Sequence, residues 1–445
     1  MNKVQNFTEG RILSPLIRFA LPVLLALFLQ AMYGAVDLLV VGQFGQAADV
    51  SAVSTGSQIL HSITVVITGL AMGITILTGQ RIGEKRPEEA GRTIGAGICL
   101  FALVAGVMTV CMVALAGVIS RIMHAPEEAF AQTVAYVRIC SAGTVFIVAY
   151  NVLGSIFRGI GDSKMPLLTV AIACVLNIGG DLLFVAVFHM GAAGAALATV
   201  LAQAVSVVLS LLIIRRRQLP FRLSREDIRF DGPVIRRILA LGTPVAFQDL
   251  LVSISFLVII AIVNSMGVIA SAGVGVAEKL CAFIMLVPSA YMQSMSAFVA
   301  QNIGAKRQDR ARKALLYGIG TSVAVGFLMF YVSFFHGDWM AGLFARDREV
   351  ILAAADYLRA YAIDCILTSF LFCFMGYFNG EGRTLFVMGQ GILGAFFIRI
   401  PVAYVVSRIA GVSLFYIGLA TPASTIVRIL LCVGYFAWES RGTKL

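Results

Sequence analysis

Two aspartates, Asp37 and Asp181, stand inside apolar runs long enough to cross a membrane, where an ionisable group is costly and marks ion, proton or substrate handling. Each has a polar companion four residues earlier, Tyr33 and Asn177, and residues at i and i+4 share one helix face. Thr199 belongs to a further run. Counting 1.5 Å per residue from the outer end of each run places Asp37 roughly 8 Å, Asp181 roughly 10 Å and Thr199 roughly 12 Å deep. Three helices therefore offer carboxylate, amide and hydroxyl oxygens at a common depth. Such ligands suit a hard cation such as sodium, whereas two neighbouring carboxylates can instead share a proton. Both chemistries stay open.

A second group of acids lies later in the chain. Glu278, Asp364 and Asp249 are candidates for a substrate counter-charge or a second protonation site, with Lys279 available as a local partner for Glu278. Arg399, deep in its own run, reads as a structural counter-ion for one of these acids. The histidines, His61, His124, His189 and His336, are scattered and mostly near loops, so no metal site is expected. Cys99, Cys111, Cys140, Cys174, Cys281, Cys365, Cys373 and Cys432 lie singly in apolar runs and read as small buried hydrophobes. The glycine-rich turns at 158–162 and 379–383 lack the Gly-Lys-Ser/Thr ending of a phosphate loop. ATP hydrolysis is not expected, and no cofactor beyond a sodium ion or a proton as coupling ion. No nucleophile and base fall together in a recognisable motif, which argues against an enzyme.

Membrane helices must position these residues. Of 445 residues, 59% are hydrophobic and 13% charged, with a mean hydropathy of +0.92. Soluble domains carry about 25% charged residues, so this chain could not cover a water-facing surface. The runs are continuously apolar rather than alternating, which selects helices over barrel strands. About twelve spans are predicted, at 15–41, 51–79, 92–120, 132–157, 165–188, 191–214, 234–264, 271–300, 312–335, 352–378, 384–408 and 412–438. No small-residue cleavage site follows a short apolar stretch at the start, so the first span is read as a retained helix.

The formal charge of +11 is a topology signal rather than a nucleic-acid footprint. Lys and Arg concentrate in alternate connections, densest at 81–92, 215–237 and 306–313, which puts those loops and both termini on the cytoplasmic side. Membrane lipids are the expected partners of these charges.

The chain also repeats itself at an offset of about 221 residues. Gln80-Arg81-Ile82-Gly83 returns as Gln301-Asn302-Ile303-Gly304, Tyr136-Val137-Arg138 as Tyr357-Leu358-Arg359, and Phe157-Arg158-Gly159-Ile160-Gly161 as Phe378-Asn379-Gly380-Glu381-Gly382. Pro22 likewise answers Pro244. Six spans per copy is even, so both copies enter from the same side, related by a pseudo-two-fold axis along the membrane normal. The expected organisation is an N-lobe at 1–214, a basic cytoplasmic linker at 215–233 and a C-lobe at 234–445.

Over essentially its whole length this pattern resembles the multidrug and toxic compound extrusion (MATE) family of cation-coupled exporters. The resemblance is carried by Pro22 with Asp37-Leu38-Leu39-Val40-Val41-Gly42, Gly79-Gln80-Arg81-Ile82-Gly83, Arg158-Gly159-Ile160-Gly161-Asp162, Leu176-Asn177-Ile178-Gly179-Gly180-Asp181 and the stretch from Gly191 to Thr199. It implies two six-helix lobes and antiport of amphipathic, often cationic organic compounds against sodium ions or protons in the inner membrane. It also implies function for Asp37, Asn177 and Asp181, with Tyr33 and Thr199 at neighbouring polar positions. The chain departs from the branch with a glutamate in the seventh span: Leu250-Leu251-Val252-Ser253-Ile254 is apolar apart from Ser253. A lipid-linked oligosaccharide flippase of the same broad superfamily is the alternative, though its pyrophosphate would call for a more cationic cavity. The chain is expected to work as a monomer.

Overall fold

The computed structural model describes residues 7–216, 219–221, 223–409 and 411–442, and every regular element among them is helical. The helices are α1 (Leu13–Phe44), α2 (Ala47–Gly83), α3 (Pro87–Ile122), α4 (Phe130–Ala142), α5 (Thr144–Ile160), α6 (Lys164–Asp181), α7 (Gly191–Arg216), α8 (Gly232–Asn264) and α9 (Val268–Ile284). They continue as α10 (Leu286–Gly304), α11 (Gln308–Phe335), the short α12 (Gly337–Gly342), α13 (Arg348–Glu381), α14 (Thr384–Ile392), α15 (Ile400–Ser407), α16 (Leu414–Gly418) and α17 (Ala420–Gly442). Among the described residues 11 helices are long and apolar enough to cross a membrane, and one bent pair brings the number to 12. Large apolar side chains such as Val110, Val175, Phe397 and Leu430 point outward from them, as lipid-facing positions do.

Several spans are interrupted where the sequence suggests continuous helix, three of them by a bend or a π-helical stretch. The span expected at 132–157 bends by 54° between α4 and α5. The joint is Gly143, where a Cβ would collide with the side chain of Val200, so glycine lets α7 come close. After Asp181 the backbone widens into a π-helical stretch, Leu182–Val187. A second π stretch, Leu393–Arg399, separates α14 from α15 and ends just before Pro401, which lacks the N–H that a regular helix would use. Single π turns inside helices recur at functional sites because they re-aim the side chains around them.

The chain divides into two compact units. The first gathers residues 7–9, 18–246 and 300–306, and the second residues 10–17, 247–299 and 307–442. The division runs through α8 rather than through the linker. In the first unit a core of Val40, Val41, Val53, Tyr136, Cys140, Val185 and Ala195 ties α1, α2, α4, the π stretch and α7 together. In the second, Val274, Leu280, Tyr357, Tyr361, Cys365 and Ile417 join α9, α13 and α16. Within the first unit the two copies of one repeated motif meet: a Cβ on Gly83 would strike the carbonyl of Gln301, and one on Gly304 that of Gln80. Duplication is thus written into local packing. Cys111 is exposed and Cys99 only half-buried, both on α3, so the reading of all eight cysteines as buried fails there because α3 turns that face outward.

The connection before α8 is fastened to the first unit. Ser224 donates to Asp227 Oδ2 from its amide at 2.8 Å and from its hydroxyl at 2.9 Å, which holds that carboxyl below its ordinary pKa. Arg92 Nη2 reaches Asp231 Oδ2 at 2.6 Å. Gly95 lies against the carbonyl of Asp227, with no room for a side chain.

Candidate functional site

In the first unit all five residues singled out from spacing come together. Asp37 on α1, Asn177 and Asp181 at the end of α6 and Thr199 on α7 are buried, and Tyr33 is half-buried one turn before Asp37. Asn177 Nδ2 donates to Thr199 Oγ1 at 3.3 Å, and Thr199 Oγ1 donates in turn to Asp37 Oδ2 at 3.2 Å. The chain of donors ends there. The Asp37 and Asp181 carboxyls face one another within interaction range. Yet neither Asp181 oxygen, nor Asp37 Oδ1, nor Asn177 Oδ1 receives a hydrogen bond. Two buried carboxylates with no donor between them are stable only if something positive joins them, a proton or a cation.

The local sequence explains the convergence. The i,i+4 spacing puts Asn177 and Asp181 on one face of α6, which packs against α7. Small residues on α7 let the helices approach: a Cβ on Gly180 would lie 2.9 Å from Ala198 Cβ. The π stretch that follows shifts the register of later residues and leaves Asp181 at the turning point. Gln203, one turn after Thr199, was missed from sequence. Its Nε2 donates to Tyr33 Oη at 3.3 Å, while its Oε1 has no donor. Its i+4 relation to Thr199 was the available signal. Tyr136 and Cys140 on α4 border the same group.

The second unit holds a different constellation. Glu278 on α9 accepts from Tyr357 Oη at 3.2 Å, while Lys279 is exposed. Asp364 on α13 is buried, with Oδ1 bare, and Arg399 and Arg428 are its charged neighbours. Asp249 on α8 is half-buried and senses Arg428. Arg399 is 3% exposed, donates from Nη1 to Ser255 Oγ at 3.0 Å and lies 4.3 Å from the centre of the Phe256 ring. Its direct contacts are therefore a hydroxyl and a π-face, with the acids acting at longer range. Arg428 on α17 donates from Nε to Gln390 Oε1 at 2.7 Å and from Nη2 to Met375 Sδ at 3.3 Å. Sequence reading passed over Arg428, since an arginine some ten residues from a helix end looks like a topology charge.

The family model MatE matches the chain twice, at 22–183 and 244–405. The chain is similar to "Probable multidrug resistance protein YoeA" of Bacillus subtilis (strain 168), 26% identical over 95% of this chain and 93% of that protein. It is also similar to "Probable multidrug resistance protein YpnP" of the same strain, 25% identical over 90% and 89%. Among solved structures, the outward-facing conformation of a multidrug resistance MATE family transporter of the MOP superfamily shares the fold, with a TM-score of 0.93 at 20% identity, covering 100% of this chain and 99% of that one.

Proposed function

We propose, from the premise that this chain belongs to the MatE family, that it is a multi-pass membrane transporter exporting amphipathic, often cationic organic compounds in exchange for sodium ions or protons. The observation that carries the reading is the facing pair Asp37 and Asp181, of whose four oxygens only Asp37 Oδ2 receives a hydrogen bond, from Thr199. Loading this site from outside with a cation or proton would join the carboxylates. Emptying it would leave two buried like charges, which favours the conformation that hydrates them. Coupling requires this difference between states, because an ion that bound both equally would shift nothing. The relatives' names supply the substrate class, small drug-like molecules. Alternating access, an inner-membrane location and cytoplasmic termini complete the proposal.

Arg399 and Arg428 give the flippase alternative its one favourable observation, since buried guanidiniums suit an anionic headgroup. Three acids in the same unit weigh against it. Reconstituted protein should accumulate a fluorescent lipophilic cation only under an imposed sodium or proton gradient. Gradient-independent translocation of a pyrophosphate-linked lipid, with no cation transport, would replace the proposal with the alternative.

A further inference from the structure

The two matches of the family model start at Pro22 and Pro244 and end at Leu183 and Val405, 222 residues apart at both ends, while the motifs between 80 and 161 repeat at 221. At the offset of the two ends, Tyr33 answers Ser255 and Asn177 answers Arg399. In the first unit, Tyr33 and Asn177 flank the carboxylates whose oxygens lack a positive partner. In the second unit the corresponding two residues bond to each other directly, Arg399 Nη1 to Ser255 Oγ. Flanking tyrosines repeat as well. Tyr136 lies in electrostatic reach of Asp37 and Asp181, and its counterpart Tyr357 in reach of Glu278 and Arg399. The acid positions do not repeat, since Asp37 answers Ile259 and Asp181 answers Ala403. The second unit draws its acids from α9 and α13 instead. They act at longer range on a charge that cannot leave, because a guanidinium stays protonated and is held by its side chain.

We propose that Arg399 is a tethered cation. Its guanidinium takes, in the second unit, the place that an exchangeable monovalent cation takes in the first. The acids Glu278 and Asp364 are thereby compensated permanently, and ion exchange is confined to Asp37 and Asp181, one site per chain. The inference rests on the reading of the first-unit site as a coupling site. Asparagine at 399, the residue of the first copy, should convert the second unit into an exchangeable site with carboxylate, hydroxyl and amide oxygens.

The test counts cations on purified full-length protein in detergent, with radioactive sodium in equilibrium binding and with protons in a parallel titration. Arg399→Asn is expected to bind one more sodium ion or proton per chain than wild type, and to keep that gain when Asp37 and Asp181 are both changed to Asn. Arg399→Lys, which preserves a tethered charge, is expected to show no gain. A folded, monodisperse Arg399→Asn protein with wild-type stoichiometry for both ions overturns the proposal. If Arg399→Asn does not fold, Arg399→Asn with Asp364→Asn decides, because removing the uncompensated acid should restore folding. No recovery in that double variant also overturns it. A wild type that binds neither ion through Asp37 and Asp181 would sink the reading of the first-unit site, while the gain at 399 would still be counted relative to that wild type.

Discussion

The fourth span of the first copy and the matching helix of the second, α13, start from one template and solve the same problem in opposite ways. Tyr136 and Tyr357 fix the register at one end, Phe157 and Phe378 at the other, which sets Gly143 opposite Asp364. In the first copy the helix breaks at Gly143, and the missing side chain lets Val200 of α7 approach. Thr199, the next residue back, then donates to Asp37. In the second copy α13 runs unbroken from Arg348 to Glu381, and the same position carries a buried carboxylate beside two arginines. One copy brings neutral donors to acids by packing, and the other brings fixed charges to acids across helices. An acid with neutral neighbours still needs a mobile positive partner, whereas an acid among guanidiniums does not. On the proposed reading, that contrast separates a site for exchange from one for permanent compensation.

The largest expected effect is on the exchanging side. Asp37→Asn and Asp181→Asn should each fold and bind substrate while losing gradient-driven export entirely in proteoliposomes. Retention of export with unchanged ion dependence in both variants would erase the distinction between the two copies.

Next comes the permanent side. Arg428→Met leaves Gln390 Oε1 without its donor and strips positive charge from Asp249 and Asp364, an expected loss of about 3 kcal/mol. Asn177→Leu, in the other copy, removes one neutral donor and should cost only about 1 kcal/mol. Thermal unfolding of both variants in the same detergent reads the difference, and equal losses would mean that charge compensation does not distinguish the copies.

Gly143→Val tests the packing solution. A side chain there collides with Val200, an overpacking cost of about 1–3 kcal/mol. It should also weaken cation binding, because α7 moves with Thr199 attached. An unchanged ion affinity would show that the bend is not what delivers the hydroxyl.

The smallest effect is expected outside both sites. Arg92→Ala removes a partly exposed ion pair with Asp231 and should change stability by under about 1 kcal/mol, less in high salt, with transport intact. The neighbouring Asp227 carboxyl, held below its usual pKa by Ser224, contributes at neutral pH and loses that contribution only as pH falls through its lowered value. A large transport defect in Arg92→Ala would show that the linker takes part in the exchange that the comparison assigns to Asp37 and Asp181.

By itself the sequence determined the helical class, the number of spans, the duplication and which polar residues meet in the first unit. Each follows from a local signal: a run of apolar residues of membrane length, a returning motif, or an aspartate where hydrocarbon makes it costly. The i,i+4 pairs Tyr33 with Asp37 and Asn177 with Asp181 were legible because helical periodicity fixes one helix face without reference to any other helix. Tertiary structure alone decided which oxygens lack donors, that Gln203 reaches Tyr33, that Glu278 meets Tyr357, and that Arg399 bonds Ser255 rather than an acid. It also decided where the spans bend: the fourth span breaks at Gly143 against Val200, while Gly376 and Gly73, packed just as closely, lie in continuous helix. These choices are contacts between helices far apart in sequence. Every span offers a similar apolar surface to its neighbours, so periodicity cannot rank the possible partners, and only packing and the matching of buried polar groups selects among them.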